Sequence, residues 1–277
     1  MKNLNFDVVV KIGSMAMIQK EEKNIDYNVI ANLARSLKPG YILVSSGAVE
    51  IGRVDFLNRN GRELCGDQEE IKTDYSAQGQ AMLMSLYRQF IDPQYSVRQV
   101  LIEHGHFNDP EKAAHIKALF YRAANQNAIP IVNYNDPISS EENRRFEIAA
   151  LKKEGEHAVV ECIDNDETAA VVAGLVGAKK LVLLTSTDGI YKDVDDPSTL
   201  IEEVEAPTME ELLAKIDEIT AYCHGASRVG ANGAKAKLIF AKKAVEQGTT
   251  VIIANAKNNL EDILAGKVRC TTMKLSK

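Results

Sequence analysis

Little in this sequence suits an oxidised, membrane-spanning or nucleic-acid-binding protein. Its 277 residues include four cysteines, Cys65, Cys162, Cys223 and Cys270, widely spaced and without a CxxC pair. That spacing argues against a disulfide framework or a zinc site, so thiols in a reducing compartment are expected. No apolar stretch reaches the roughly 18 residues a membrane span needs. The N-terminus, MKNLNFDVVVKIG, has one lysine ahead of an apolar run too short for a signal peptide, and a cytoplasmic protein is expected. Positive charge is not in excess: 33 Lys and Arg stand against 39 Asp and Glu, a net charge of −6. There is therefore no electrostatic case for nucleic acid or an anionic membrane. Two familiar phosphate loops are also missing: no GxxxxGKS or GxxxxGKT occurs, and no GxGxxG follows a strand. No Cys and His pair as nucleophile and base. His104 and His106, one residue apart, read as an exposed loop pair rather than a metal site.

What is present centres on residues 162–192, CIDNDETAAVVAGLVGAKKLVLLTSTDGIYK. Acids around an amide (Asp164, Asn165, Asp166) precede a small-residue segment, 168–178, suited to a helix packed close on a sheet. Leu181 to Leu184 then read as a strand buried on both faces. It ends in the polar turn from Thr185 to Gly189, and ligands of open α/β sheets sit at the carboxyl ends of strands.

The same unit recurs along the chain. Residues 6–12 read as a first strand, interrupted by Lys11 and ending at Gly13-Ser14. A lysine there either meets a ligand or snorkels to the sheet rim. Residues 25–37 have helical apolar spacing, and 41–44 form a strand leading into Ser45-Ser46-Gly47-Ala48, a turn that suits an anion. Residues 53–72 read as a charged surface excursion. Helices are expected over 76–90, 111–125, 143–154, 207–220 and from the glycine-bearing loop 229–237 to about 247. Strands are expected over 97–102, 129–132 and 250–254, with Pro130 favouring a sheet edge or strand start. Asn133 and Asn135, in the turn after 129–132, read as turn caps. The alternation predicts a three-layer α/β/α sandwich with a largely parallel central sheet, one domain over 1–277.

Converged at one sheet edge, these polar segments supply lysines, carboxylates and small-residue loops. That inventory suits phosphoryl transfer, which needs positioning and charge neutralisation. The order VVVKIGS, ILVSSGA, Gly79-Gln80 within a helix, IPIVNYND, IDND, LVLLTSTDGIY and GANGAKAKL resembles the amino acid kinase family over nearly the whole chain. Within it, SSGA in place of a glycine triplet looks most like the branch that phosphorylates the side-chain carboxylate of L-glutamate, the first step of proline biosynthesis. The C-terminal PUA domain many of those enzymes carry is not expected here.

The resemblance implies roles. Lys11 and Lys237 flank the transferring phosphoryl, and Asp166 holds both lysines. Ser46, Asp136 and Asn165 bind the amino acid, and Gly47 lets its backbone approach. Lys11, Gly13, Thr185, Ser186, Gly230, Asn232, Gly233 and Lys237 receive ATP. Mg2+ is expected with the nucleotide, with no metal ligand assigned in the protein. A homo-oligomer, a dimer or tetramer, is expected.

Three departures qualify this pattern. Residues 137–163 form a longer connection than the family pattern has, with an added segment of roughly 140–156. Ser186 replaces an expected carboxylate. The loop ending at Lys237 loses a glycine and adds Lys235. Two alternatives follow: a different amino acid, a glutamyl derivative or a small acid as acceptor, or a nucleotide-binding regulator that no longer catalyses.

Overall fold

The computed structural model describes residues 6–19, 21–139, 141–154, 159–162, 164–193, 195–223 and 233–276. The first strand, β1 (Val8–Ile12), is buried along its length, as a central parallel strand covered on both faces must be. A two-stranded hairpin, β2 (Ile18–Gln19) and β3 (Asn24–Ile25), follows, then α1 (Tyr27–Ser36) and β4 (Tyr41–Ser45). Next come α2 (Ala48–Asn60), α3 (Gln68–Phe90), β5 (Ser96–Ile102), α4 (His104–Asn108), α5 (Pro110–Asn125) and β6 (Ala128–Tyr134). The second half adds α6 (Glu141–Glu154), α7 (Asn165–Val176), β7 (Lys180–Thr185), β8 (Glu203–Ala206) and α8 (Met209–Tyr222). It closes with α9 (Ala234–Glu246), β9 (Thr250–Asn255), α10 (Leu260–Leu264) and β10 (Thr271–Leu275).

Eight strands form one sheet in the order β5-β6-β4-β1-β7-β9-β10-β8. All neighbours run parallel except β9 and β10. The sandwich expected from the sequence is the one observed. One core joins Val8, Val10 and Ile12 of β1 to α1, α3 and α10; the other joins Val9 to α5, α7, α8 and α9. Successive strand residues face opposite sides. Lys11 therefore shares the face of Val9, toward α7.

Several expectations are corrected. Residues 53–72 are largely helical, forming the end of α2 and the start of α3. The sequence also gave no warning of β8, β10, α4, α10 or the β2–β3 hairpin. Pro130 lies inside β6, a strand with neighbours on both sides. It is tolerated because β4 pairs with β6 only at Ile131 and Val132, beyond the proline. His104 is not in an exposed loop: it is buried in α4, bonded to the Tyr134 hydroxyl at 3.2 Å and to Glu147 at 2.9 Å. The four cysteines are free thiols. Among the described residues no helix is long and apolar enough to cross a membrane.

The pairing of α2 with α3 explains Gly79. A Cβ there would lie 1.8 Å from the Ala48 carbonyl oxygen and 2.5 Å from the Gly52 nitrogen. Both obstacles are backbone, so a methyl group forces the helices apart. Gly79→Ala should cost about 1–3 kcal/mol or more, as overpacking does, and a lowered denaturant midpoint with unchanged slope would register it.

Candidate active site

The carboxyl ends of β1, β4 and β7 are level: Ile12 pairs with both Ser45 and Leu184. The chain moves from β1 outward through β4 on one side and returns to β7 on the other. This is a switch point of the kind where α/β sheets bind ligands. Backbone bonds knit the rim, with Ser46 N–H donating to the Ile12 carbonyl at 3.1 Å and Gly13 N–H to the Leu184 carbonyl at 3.3 Å.

Across this rim lies the first turn of α7. Asp164 caps it, its carboxylate accepting from the Asp166 N–H at 2.9 Å. The cap fixes Asp166, fully buried, against β1. Its two oxygens grip two ammonium groups: Lys11 Nζ is 2.6 Å from Oδ1, and Lys237 Nζ is 2.6 Å from Oδ2. Lys11 comes up from the buried strand and Lys237 from the first turns of α9. Asp164 adds a second anion 4.0 Å from Lys11. Burial opposes ionisation of Asp166, but the charges of Lys11 and Lys237 outweigh it and hold its pKa below the ordinary carboxylate value. The choice left open for Lys11 is thus decided: it does not snorkel to water but ends in a buried ion pair, 5% exposed.

A second chain of contacts runs across the other half of the rim. Asn165 donates to the Ser46 hydroxyl at 2.9 Å and to the Asn133 side-chain oxygen at 3.2 Å. Asn133 in turn donates to Gln80 at 2.8 Å. Asn133 is buried and is no mere turn cap; Asn135 donates instead to Glu103 at 2.8 Å. The Gly79-Gln80 pair thus has two jobs, helix packing and support of Asn165 through Asn133. Gly47 follows Ser46 with φ of +100°, the left-handed region that favours glycine. Gly47→Ala should cost roughly 1–2 kcal/mol and misplace Ser46, which a paired melt and substrate titration would detect.

Asp136 lies just beyond β6. Burial raises its pKa, and the opposing charges of Arg144 and Lys72 do not cancel the effect. Gly13 lies close to the ion pair: a Cβ there would be 3.8 Å from Lys11 Nζ. Thr185 ends β7, and Ser186 beside it is exposed. The carboxylate absent at Ser186 has a neighbour in Asp188, which accepts from Asn255 at 3.1 Å. Gly233 caps α9, while Gly230 and Asn232 lie outside the described residues. Of the expected site residues, the structure thus joins Lys11, Asp166 and Lys237 in one cluster and Ser46 with Asn165 in another. Among the described residues, no group of three or more His, Cys, Asp or Glu side chains could hold a metal ion.

The description "Amino acid kinase family" matches residues 8–255. Glutamate 5-kinase of Enterococcus faecalis (strain ATCC 700802 / V583) is 31% identical over 274 residues, covering 94% of this chain and 91% of the relative. Glutamate 5-kinase of Streptococcus uberis (strain ATCC BAA-854 / 0140J) is also 31% identical, covering 96% of each. Glutamate 5-kinase of Synechococcus sp. (strain JA-3-3Ab), 30% identical, is longer, and the match covers 66% of it. Among solved structures, carbamate kinase from Giardia lamblia bound to AMP-PNP aligns with a TM-score of 0.61 at 15% identity, over 98% of this chain and 99% of that one. UMP kinase from Ureaplasma parvum aligns at 0.54 and 13% identity, over 99% of both. At such identities these two show a shared fold.

Proposed function

This chain belongs to the amino acid kinase family, and from that premise we propose that it transfers the γ-phosphoryl of ATP to the side-chain carboxylate of an amino acid, L-glutamate first. The observation that carries the reading is the grip of one buried carboxylate, Asp166, on both lysine ammonium groups. Such a clamp pre-sets two positive charges a few ångströms apart, where the oxygens of a transferring phosphoryl develop charge. The names of the relatives support glutamate as acceptor, and the AMP-PNP-bound neighbour supports an adenine nucleotide. We take residues 1–277 to act as one catalytic domain.

In this reading a carboxylate oxygen of the acceptor attacks the γ-phosphorus. The new O–P bond forms as the bond from phosphorus to the β–γ bridging oxygen breaks, and ADP leaves with that electron pair. The attacking carboxylate is already ionised, so no general base is required. Lys11 and Lys237 stabilise the phosphoryl oxygens, and Asp166 keeps both aimed. Ser46 and Asn165 orient the acceptor, while ionised Asp136 takes its ammonium group. Thr185, Ser186, Gly13 and the loop ending at Lys237 receive the nucleotide. Mg2+ would arrive on its phosphates and neutralise part of their charge.

The test is ADP release from Mg-ATP with a panel of amino acids, with hydroxylamine present to trap an acyl phosphate. Hydroxamate with glutamate supports the full reading. Hydroxamate only with another acid retains the chemistry and changes the acceptor. Absence of turnover with every acid, despite nucleotide binding, overturns it.

Asp136 gives a separate, pH-dependent result. Its raised pKa means that, as pH falls, it gains a proton sooner than an ordinary carboxylate. KM for the amino acid should therefore climb early on acidification while KM for ATP does not. Linkage gives the sign for stability: a carboxylate with a raised folded pKa is a burden once ionised. Asp136→Asn should therefore melt higher than the parent at pH 7. The gap should narrow as pH falls through the raised folded value and be gone below the unfolded value of about 3.9. Loss of the ammonium contact should raise KM for the amino acid by about 10- to 100-fold.

A further inference from the structure

Helix α6 occupies the long connection between β6 and α7, and it is tied down over the end of β6. Arg144 lies over the Tyr134 ring, its guanidinium carbon 4.9 Å from the ring centroid. One turn along, Glu147 meets the buried His104 at 2.9 Å. His104 reaches the Tyr134 hydroxyl at 3.2 Å, which also contacts the Ser139 hydroxyl at 2.9 Å. Further on, Lys152 pairs with Glu161 at 2.6 Å, just before α7. These contacts set the half-buried guanidinium over the ring of Tyr134, two residues before Asp136 in the sequence, where its charge acts on that carboxylate.

We propose that Arg144 is a specificity-determining residue that binds the α-carboxylate of the acceptor, so that the substrate must be an acid carrying a second, free carboxylate beside its ammonium group. The proposal rests on the reading of the acceptor as an amino acid. In an α-amino acid the ammonium and the carboxylate share one carbon. An anion beside a cation, Asp136 beside Arg144, is the complement of that pair. A guanidinium held over an aromatic ring is pre-positioned, and this reduces the entropy lost on binding a carboxylate. Arginine suits this role because its fork matches both carboxylate oxygens. Helix α6 is thereby assigned to substrate selection rather than to phosphoryl transfer.

The experiment compares the best acceptor with the same compound carrying an α-carboxamide, for the parent, Arg144→Ala, Arg144→Lys and Lys72→Ala. The parent should prefer the free acid by about 10- to 100-fold in kcat/KM. Arg144→Ala should lose that preference through KM, with kcat and KM for ATP within a few-fold, and Arg144→Lys should recover it only in part. Melting curves confirm that each variant is folded. Equal losses for acid and amide in Arg144→Ala would indicate a purely structural role and overturn the proposal. So would retained discrimination in Arg144→Ala, with its loss in Lys72→Ala assigning the contact to Lys72 instead. A parent that makes no hydroxamate with any amino acid fails at the earlier step, removing the amino-acid reading and this inference together. A parent that turns over without discriminating acid from amide removes this inference alone.

Discussion

Asp166→Asn should be both the least stable and among the least active of the single variants. The parent carboxylate has no exposure to water and faces ammonium groups 2.6 Å away on both sides. Removing its charge leaves Lys11 buried, with Asp164, 4.0 Å away, as a poorer partner. Breaking a buried pair from one side costs about 3–5 kcal/mol, because the remaining charge is uncompensated. A displaced Lys11 no longer acts on the phosphoryl group. We expect kcat to fall by about 10³-fold or more, the combined loss of two aimed cations. The acid limb of the stability profile should change as well. The pKa of Asp166 is lowered in the fold, so its contribution is present above the unfolded value of about 3.9 and lost as pH falls toward the folded one. The asparagine variant should lack that loss. Denaturant melts across pH, read beside turnover, check both halves. Near-parental turnover in a folded Asp166→Asn would remove the clamp from the account.

Lys237→Ala should separate catalysis from stability. Lys237 is partly exposed, its side chain at 20%, and Asp166 keeps Lys11 as a partner once Lys237 is gone. The fold should therefore lose much less than in Asp166→Asn. Turnover should still drop by about 10²–10³-fold, the loss that follows removal of one well-placed charge donor. The acceptor KM should stay within a few-fold, since Ser46, Asn165 and Asp136 are untouched. Lys237→Arg should rescue poorly: a planar fork does not reproduce a compact ammonium wedged against a buried carboxylate. Steady-state kinetics together with a melt distinguish this outcome from general damage. A Lys237→Ala enzyme with normal kcat would mean that the α9 lysine neutralises Asp166 and nothing more.

What the sequence disclosed, and what it hid, follows from the kind of contact involved. Lys11 was legible only in part: a lysine in a strand of valines and isoleucines either meets a ligand or snorkels to the rim, and the family resemblance, not the strand, pointed to the site. Asp164 and Asp166 were legible as polar residues ahead of a small-residue helix, whose close packing on the sheet the alanines of α7 now explain. The helical character of 53–72 was not legible. Among the described residues of α2 only Ala48, Ile51, Gly52 and Val54 are buried, and Gly52 lies close against the backbone of α3, where a Cβ would be 1.9 Å from the Tyr75 carbonyl oxygen. A helix that packs through glycine leaves almost no apolar stripe to read. Strand β10 was missed for a related reason, since TTMKL buries only Thr271 and Met273. Asn133 read as a turn residue because its partners, Gln80 and Asn165, are 53 and 32 residues away. The position of α6 over Tyr134 likewise depends on His104 and Glu147, which no local pattern connects.

The central claim is that a carboxylate oxygen of the acceptor becomes the bridging oxygen of an acyl phosphate. It is tested most directly with an acceptor whose side-chain carboxylate carries 18O at both oxygens, incubated with Mg-ATP and hydroxylamine. Hydroxylamine breaks the acyl C–O bond, so the account predicts that each phosphate released with hydroxamate carries one 18O. Phosphate without the label, formed at the same rate as ADP, would mean that water takes the phosphoryl group, and would contradict the account.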